Sequence, residues 1–221
     1  MDTCAGMVRV AVIAALLLAL TATPAGAATV EDLKPCYVSA GETDAERETI
    51  VIRGDGFTQV STVDVLFDGV VMGSALTGSV GEFELRLPAP FQLVGQRPLT
   101  VTVRDTVQQV VKTTRVTNLA MTVKPRNATP TQRVRMRGRG FTLGLPVFAH
   151  YLFGGELQRT VRLARRSTTP CGTFDVRRRL IPIDNARAGR WIMQVDQRRT
   201  YSPEPDPVWV RRPIIVSFGT S

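Results

Sequence analysis

The stretch "VIRGDGFT" at residues 51–58 decides the fold, because the chain repeats it as "RMRGRGFT" at residues 135–142. Both copies keep an arginine, two glycines, a phenylalanine and a threonine, while the residue between the glycines changes from Asp55 to Arg139. Glycines at fixed positions beside an aromatic residue are typical of a turn in which a Cβ atom would clash. We therefore interpret the Arg-Gly-Asp tripeptide as part of a turn that the fold requires, and not as an adhesion signal.

Three further pairs of matching segments follow these turns in the same order. They are "VDVLFDGVV" (63–71) with "VFAHYLFGGEL" (147–157), "GEFELRLPAP" (81–90) with "GTFDVRRRLIP" (172–182), and "RPLTVTVRD" (97–105) with "GRWIMQVD" (189–196). Apolar and polar residues alternate within these segments, which predicts half-buried β-strands. Four matched segments in one order indicate an internal duplication of an all-β unit. The predicted turn and core anchors are Gly54, Gly56 and Phe57 in the first copy and Gly138, Gly140 and Phe141 in the second.

The order of these motifs resembles bacterial extracellular immunoglobulin-like repeats of the IPT/TIG type. The resemblance rests on a strand ending in Gly-x-Gly-Phe, a hairpin, and a Gly-x-Phe segment that leads to a strand and a proline. It implies two tandem immunoglobulin-like β-sandwich domains used for binding, spacing or display, and it carries over no catalytic residue and no cofactor. We predict one domain over residues 28–122 and a second over 123–221, joined near "TVKPRNATP" (122–130), where prolines interrupt the strand pattern.

The first 27 residues have the pattern of a signal peptide. Arg9 precedes the apolar run "VAVIAALLLAL" (10–20), and Ala25 and Ala27 form an Ala-x-Ala cleavage site. The run is shorter than the roughly 20 apolar residues of a membrane-spanning helix, and no later segment approaches that length. The sequence therefore predicts a secreted protein of the extracellular space or cell envelope, with no transmembrane segment in the mature chain.

Charge is distributed unevenly between the two halves. Residues 28–122 contain 8 Lys and Arg against 12 Asp and Glu, whereas residues 123–221 contain 19 against 6. Arginines alternate along one predicted strand of the second half, and alternation places them on one face. A row of guanidinium groups suits phosphate or carboxylate, although a solvated outer face is the other interpretation. The candidate polyanion-binding residues are Arg133, Arg135, Arg137, Arg139, Arg177 and Arg179.

Other candidate chemistry is sparse. His150 is the only histidine, and alternation places it on the outer face of its strand, where we expect a surface or rim residue. A single histidine excludes a histidine-rich metal site, and we expect neither a metal nor a cofactor. After removal of the signal peptide only Cys36 and Cys171 remain. In a straight tandem these cysteines would lie a domain length apart, beyond the reach of about 7 Å between Cα atoms, so we expect free thiols unless the domains fold back.

These observations favour a non-enzymatic binding or structural protein with a basic second domain that binds an anionic envelope polymer or lipid surface. Two alternatives remain open at this point. One is an adhesion module for a specific protein or glycan, and the other is an accessory subunit of a secreted enzyme. The sequence does not indicate the oligomeric state.

Export is expected to remove residues 1–27, because the Ala-x-Ala site ends at Ala27. Intact-mass and N-terminal peptide measurements on the exported protein should find Ala28 as the first residue. A protein that keeps Met1 and stays in the membrane fraction would contradict this localisation.

Overall fold

The computed structural model describes residues 27–125, 128–204 and 208–216. Within these residues the regular structure consists of β-strands and a single 3-10 turn at Asp44–Glu46, which confirms the prediction of an all-β fold. Residues 1–26, which hold nearly all of the predicted signal peptide, lie outside the described residues.

The strands fall into two groups along the chain. The first group contains β1 (Thr29–Val30), β2 (Tyr37–Ser39), β3 (Thr49–Asp55), β4 (Thr62–Phe67), β5 (Val70–Leu76), β6 (Phe83–Pro88), β7 (Gln96–Arg104) and β8 (Gln109–Asn118). The second group contains β9 (Ala120–Lys124), β10 (Arg133–Arg139), β11 (Val147–Phe153), β12 (Glu156–Ala164), β13 (Phe174–Arg179), β14 (Gly189–Asp196) and β15 (Val210–Val216).

The first group forms one β-sandwich, which we call the first sandwich. Its two sheets have the strand orders β1-β3-β6 and β2-β8-β7-β4-β5. All pairings are antiparallel except that of β2 with β8. Alternate residues of facing strands fill the space between the sheets, and Ile50, Ile52, Val65, Leu99 and Val101 are fully buried there.

The second group forms the second sandwich from sheets of order β9-β10-β13 and β12-β11-β14-β15. Its core contains Met121 and Met136 from one sheet and Tyr151, Trp191 and Met193 from the other. In both sandwiches the strand that ends in the repeated turn, β3 or β10, lies in the three-stranded sheet, and the hairpin that follows it lies in the other sheet. Dividing consecutive strands between two sheets in this way is typical of immunoglobulin-like folds. The duplication seen in the sequence is therefore a duplication of topology.

The glycines of the repeated turn are required for two different reasons. A Cβ atom on Gly54 would lie 2.4 Å from Phe83 Cε1, and one on Gly138 would lie 2.2 Å from Phe174 Cε1. These glycines therefore make room for aromatic rings. Gly56 and Gly140 instead adopt φ angles of 75° and 85°, which residues with a Cβ rarely adopt.

The aromatic residue of the turn packs in the same way in both copies. The ring centroid of Phe57 lies 5.4 Å from that of Phe83, and the corresponding pair in the second sandwich, Phe141 and Phe174, is separated by 5.3 Å. Asp55, by contrast, is exposed, and its Oδ1 accepts a hydrogen bond from the next backbone N–H. The tripeptide thus lies at the end of β3, where its aspartate is the variable residue of a repeated turn.

A single residue, Leu119, separates the two sandwiches. β8 ends at Asn118 in the first sandwich, and β9 begins at Ala120 in the second. The sequence-based boundary between residues 122 and 123 falls inside β9, which pairs with β10. The prolines that suggested a linker lie instead in the connection between β9 and β10.

Cys36 and Cys171 form a disulfide with a Cα–Cα distance of 5.2 Å, contrary to the expectation of free thiols. The expectation assumed that Cys36 lies at the far end of the first sandwich. The short strand β2 instead pairs in parallel with the end of β8, so Tyr37 lies opposite Val116 close to the junction. The disulfide therefore joins the two sandwiches at the junction, and no folding back is required.

The buried aromatic residue and the exposed aspartate of the first turn are expected to respond differently to substitution. Phe57→Ala should lower the free energy of unfolding by about 3–5 kcal/mol, because it removes a ring that is 3% exposed. Asp55→Ala should change it by less than about 0.5 kcal/mol, as an exposed position does. Urea unfolding measures both values. A large loss of stability in Asp55→Ala would contradict the interpretation of the tripeptide as a repeated turn.

Candidate polyanion-binding face

The exposed side of the sheet β9-β10-β13 carries a cluster of positively charged side chains. Val134 and Met136 of β10 are buried, so the arginines that alternate with them point outward. The register places residues of β9 and β13 on the same side. We define the arginine face by its cationic residues, Lys124, Arg133, Arg135, Arg137, Arg139, Arg177 and Arg179.

This face opposes like charges across neighbouring strands. Arg133 lies directly opposite Arg179, and Arg135 lies between Arg177 on one strand and Lys124 on the other. Like charges directly opposite each other destabilise a sheet, whereas favourable cross-strand pairs contribute roughly 0.2–1 kcal/mol each. The arrangement is therefore unfavourable for the fold alone.

Asp175 is the one carboxylate on this side of the described sheet. Arg135 binds it with two nitrogens, Nε at 2.8 Å from Oδ1 and Nη2 at 2.5 Å from Oδ2, and Arg137 Nε donates to Oδ2 at 2.9 Å. The hydrogen bonds from Arg135, and to a smaller extent the one from Arg137, lower the pKa of Asp175 to about 2. The carboxylate stays ionised at ordinary pH and orients two of the arginines, but it cannot neutralise the face.

The remaining cations are weakly paired or unpaired. Arg179 Nη1 lies 3.3 Å from Asp184 Oδ1, whose side chain is 88% exposed, and such surface pairs contribute little. Within the described part of the chain, Arg133, Arg177 and Lys124 have no ion pair. Three exposed cationic side chains are thus available to an external anion.

Arg139 ends the row at the first sandwich. Its Nε donates to Asn118 Oδ1 at 2.8 Å, and Asn118 is the last residue of β8. An open cleft of about 610 Å³ lies beside this contact. Residues lining it include Gly95 and Gln96 of the first sandwich and Lys124, Arg137, Arg139 and Thr173 of the second. The arginine face therefore continues into a cleft between the two sandwiches.

His150 is fully buried, so the expectation of a surface residue is wrong. It does lie on the outer side of its sheet, but the segment 197–204 covers that side. His150 Nε2 is 3.1 Å from Asp196 Oδ1 and 3.2 Å from the carbonyl oxygen of Arg198, so this nitrogen donates. His150 Nδ1 is 2.8 Å from Thr160 Oγ1. Local alternation contains no signal for a covering segment, which is why sequence reasoning missed this network.

Gln194 and Asp196 complete the buried network. Gln194 Nε2 donates to Asp196 Oδ2 at 3.0 Å and to the carbonyl oxygen of Ser202 at 2.8 Å. Burial raises the pKa of Asp196, but hydrogen bonds from His150, Gln194 and the Arg198 N–H lower it by more, so the pKa lies below its usual value. The network therefore fastens the segment 197–204 to the sheet.

The described residues contain no helix long and apolar enough to cross a membrane. They also contain no group of three or more His, Cys, Asp and Glu side chains arranged to hold a metal ion.

No family model and no curated protein matches the sequence. Among solved structures, the chain is similar to a biofilm-associated protein BSP domain, with 14% identity over 87% of this chain and 30% of that chain and a TM-score of 0.27. It is similar to fibronectin(III)-like modules of Clostridium thermocellum CbhA, with 14% identity, coverage of 86% and 93%, and a TM-score of 0.30. The human OSCAR ligand-binding domain gives 12%, coverage of 84% and 100%, and a TM-score of 0.33. These TM-scores are low, so the fold assignment rests on the strand order.

Asp196→Asn is expected to lower stability and to change its dependence on pH. A carboxyl group with a lowered pKa in the folded state stabilises the fold above its unfolded pKa, about 3.9 for Asp. That stability is lost as pH falls through the folded pKa. The variant should unfold at lower urea concentration at neutral pH, because an amide nitrogen in place of Asp196 Oδ2 would set one donor against another, Gln194 Nε2. Its unfolding free energy should also fall less than that of the parent protein on acidification.

Asp184→Asn is the control for this experiment, because Asp184 lies in the same sandwich and is exposed. It should keep the parent protein's acid dependence. If Asp196→Asn also keeps it, Asp196 does not stabilise the folded state as an ionised group.

Proposed function

We propose that this protein is an exported, non-enzymatic binding protein of the immunoglobulin-like IPT/TIG type, whose second sandwich binds anionic polymers through the arginine face. The observation that carries the proposal is the opposition of Arg133 to Arg179, and of Arg135 to Arg177 and Lys124, on one exposed sheet. An anionic ligand would remove the repulsion that this arrangement creates. The bacterial cell envelope or extracellular space is the proposed location.

The chemistry of the face favours phosphate or carboxylate groups. Each guanidinium presents a planar fork of donors that matches two oxygens of such a group. Arg133 and Arg177 are exposed and have no ion pair in the described chain, so binding would displace no internal partner. Asp175 holds Arg135 and Arg137 in fixed orientations, which lowers the conformational entropy that these two side chains lose on binding.

The dimensions favour a polymer over a small anion. Side chains on one face of a strand repeat every two residues, so the β10 row from Arg133 to Arg139 extends over about 20 Å. A row of this length spans several charges of a polymer, whereas a single phosphate would contact one or two arginines. Neighbouring strands about 4.8 Å apart add Lys124 and Arg177 beside the row.

The buried histidine supports a non-enzymatic role. Thr160, His150 and Asp196 have the order of a nucleophile, a base and an orienting acid. However, the imidazole is fully buried and its Nε2 already donates to a carboxylate and a carbonyl. A base in this position has no access to a substrate in solution, so we assign the network to holding the segment 197–204.

The test compares two triple variants that remove the same charge from different places in the second sandwich. The face variant is Lys124→Gln, Arg133→Gln and Arg177→Gln. The control is Arg162→Gln, Arg165→Gln and Arg166→Gln, three exposed arginines of β12 and the residues after it. None of these six residues has an ion pair within the described chain, so neither variant should lose much stability.

Binding to labelled duplex DNA and to long-chain polyphosphate is measured against salt concentration. Counterion release predicts a linear fall of log affinity with log salt, with a slope of about 0.9 for each neutralised phosphate of duplex DNA. The face variant should lower the magnitude of this slope by roughly 2–3, and the control should change it by less than 1. Equal losses in both variants would show that overall charge acts without the face, and no binding by the parent protein would reject the proposal. Strong preference for one glycan or protein at high salt would favour an adhesion module instead.

A further inference from the structure

The eight edge strands of the four sheets differ in how they are protected from pairing with another chain. Exposed edges are usually blocked by shortness, charge or proline, because free N–H and C=O groups otherwise accept a new strand. β1 and β2 are two and three residues long. β6, β9, β12, β13 and β15 all carry charged residues, and β6 and β15 also contain proline. One edge strand of the described chain, β5, has none of these features.

β5 reads "VVMGSAL" (70–76) and is long, uncharged and free of proline. It pairs only with β4, so its other edge has no strand partner in the described structure. Val70 and Leu76 are 64% and 68% exposed, and Val71 and Met72 are also exposed. This strand therefore combines free backbone groups with an apolar surface.

The duplication supplies an internal comparison. β12 follows β11 in the second sandwich as β5 follows β4 in the first, and its sequence "ELQRTVRLA" contains Glu156, Arg159 and Arg162. Both hairpins have a one-residue irregularity near the start of the second strand, at Met72 and at Gln158. The irregularity thus belongs to the repeated fold. The difference between the copies is that one edge carries charges and the other does not.

We propose that β5 is a dimerisation edge, which pairs antiparallel with β5 of a second copy of this chain across a twofold axis. Such an interface places a strand opposite itself, so any charged residue near the axis faces its own copy. β5 contains no charge and escapes this repulsion. The other long edges carry charges that pairing would bring close to those of a second copy, and β13, for example, holds three consecutive arginines.

The charge distribution disfavours a contact between two second sandwiches more strongly than one between two first sandwiches. β5 lies in the half that carries a net charge of −4, whereas the other half carries +13. Pairing through β5 joins the first sandwiches and does not bring the strongly basic halves together at the contact. The continued sheet would cover Val70 and Leu76 and satisfy the free backbone groups of both copies.

The test measures self-association of the full chain and of two double variants matched in chemistry. Val70→Lys with Leu76→Lys places lysines on the proposed edge. Val80→Lys with Val107→Lys makes the same kind of change at exposed loop valines of the same sandwich. Because all four side chains are at least 64% exposed, both variants should fold.

Sedimentation equilibrium of the parent protein should give a mass that doubles between micromolar and millimolar concentration. The β5 variant should remain monomeric over this range, and the loop variant should associate like the parent. A monomeric parent protein, or association lost only in the loop variant, would overturn the proposal.

Hydrogen exchange gives a second measurement that does not depend on the variants. In the parent protein, backbone amides of residues 70–76 should exchange several-fold more slowly at high concentration than at low concentration. Amides of β12 and β15 should be unchanged. Concentration-dependent protection at those edges, without protection of β5, would also overturn the proposal.

Discussion

The join between the two sandwiches is the constraint on which the rest of the structure depends. Leu119 alone separates β8 from β9, and the disulfide between Cys36 and Cys171 closes a second connection across the same join. A bridge between residues 135 apart contributes on the order of 5 kcal/mol in the chain-entropy account of disulfide stability. Two covalent connections at one end limit rotation of the sandwiches. The contact of Arg139 with Asn118, and the cleft beside it, follow from that limit.

The same plan is used for different purposes in the two copies. Gly54 and Gly138 make room for the same aromatic pair, and the cores are built on the same strand order. The outer faces differ, because residues that point to solvent do not affect the core. In the second copy the strand that ends in the repeated turn, β10, carries arginines, while in the first copy the hairpin edge β5 carries no charge. We infer that the copies diverged on their surfaces, toward an anionic ligand in one and toward a second copy of the chain in the other.

Sequence reasoning succeeded where local patterns determine the structure. Alternation predicted the strands and the shared face of Arg133, Arg135 and Arg137, and the repeat predicted that Asp55 is the variable residue of a turn. It failed where long-range pairing decides. The disulfide depends on a three-residue strand, β2, that pairs in parallel with β8, and no local pattern specifies that register.

Long-range contacts also explain two features that the sequence did not reveal. His150 is buried by a segment that returns across its sheet after β14, although its strand pattern is that of an exposed residue. The hydrogen bonds of Asp175 with Arg135 and Arg137 depend on the register between β10 and β13, which are separated by a hairpin and a long connection. Sequence alone placed the arginines on one face but could not show which of them are already paired.

The most direct test of the arginine face is a titration of the isotope-labelled protein with short polyphosphate, followed through the Nε–Hε signals of its arginines. Our account predicts that the signals of Arg133 and Arg177 shift first and saturate together. Those of Arg135 and Arg137 should follow, because Asp175 already accepts hydrogen bonds from both side chains. Arg162, Arg165 and Arg166 should shift little at the same ligand concentration. Equal shifts of exposed arginines on both sheets, without saturation, would contradict a defined anion-binding face.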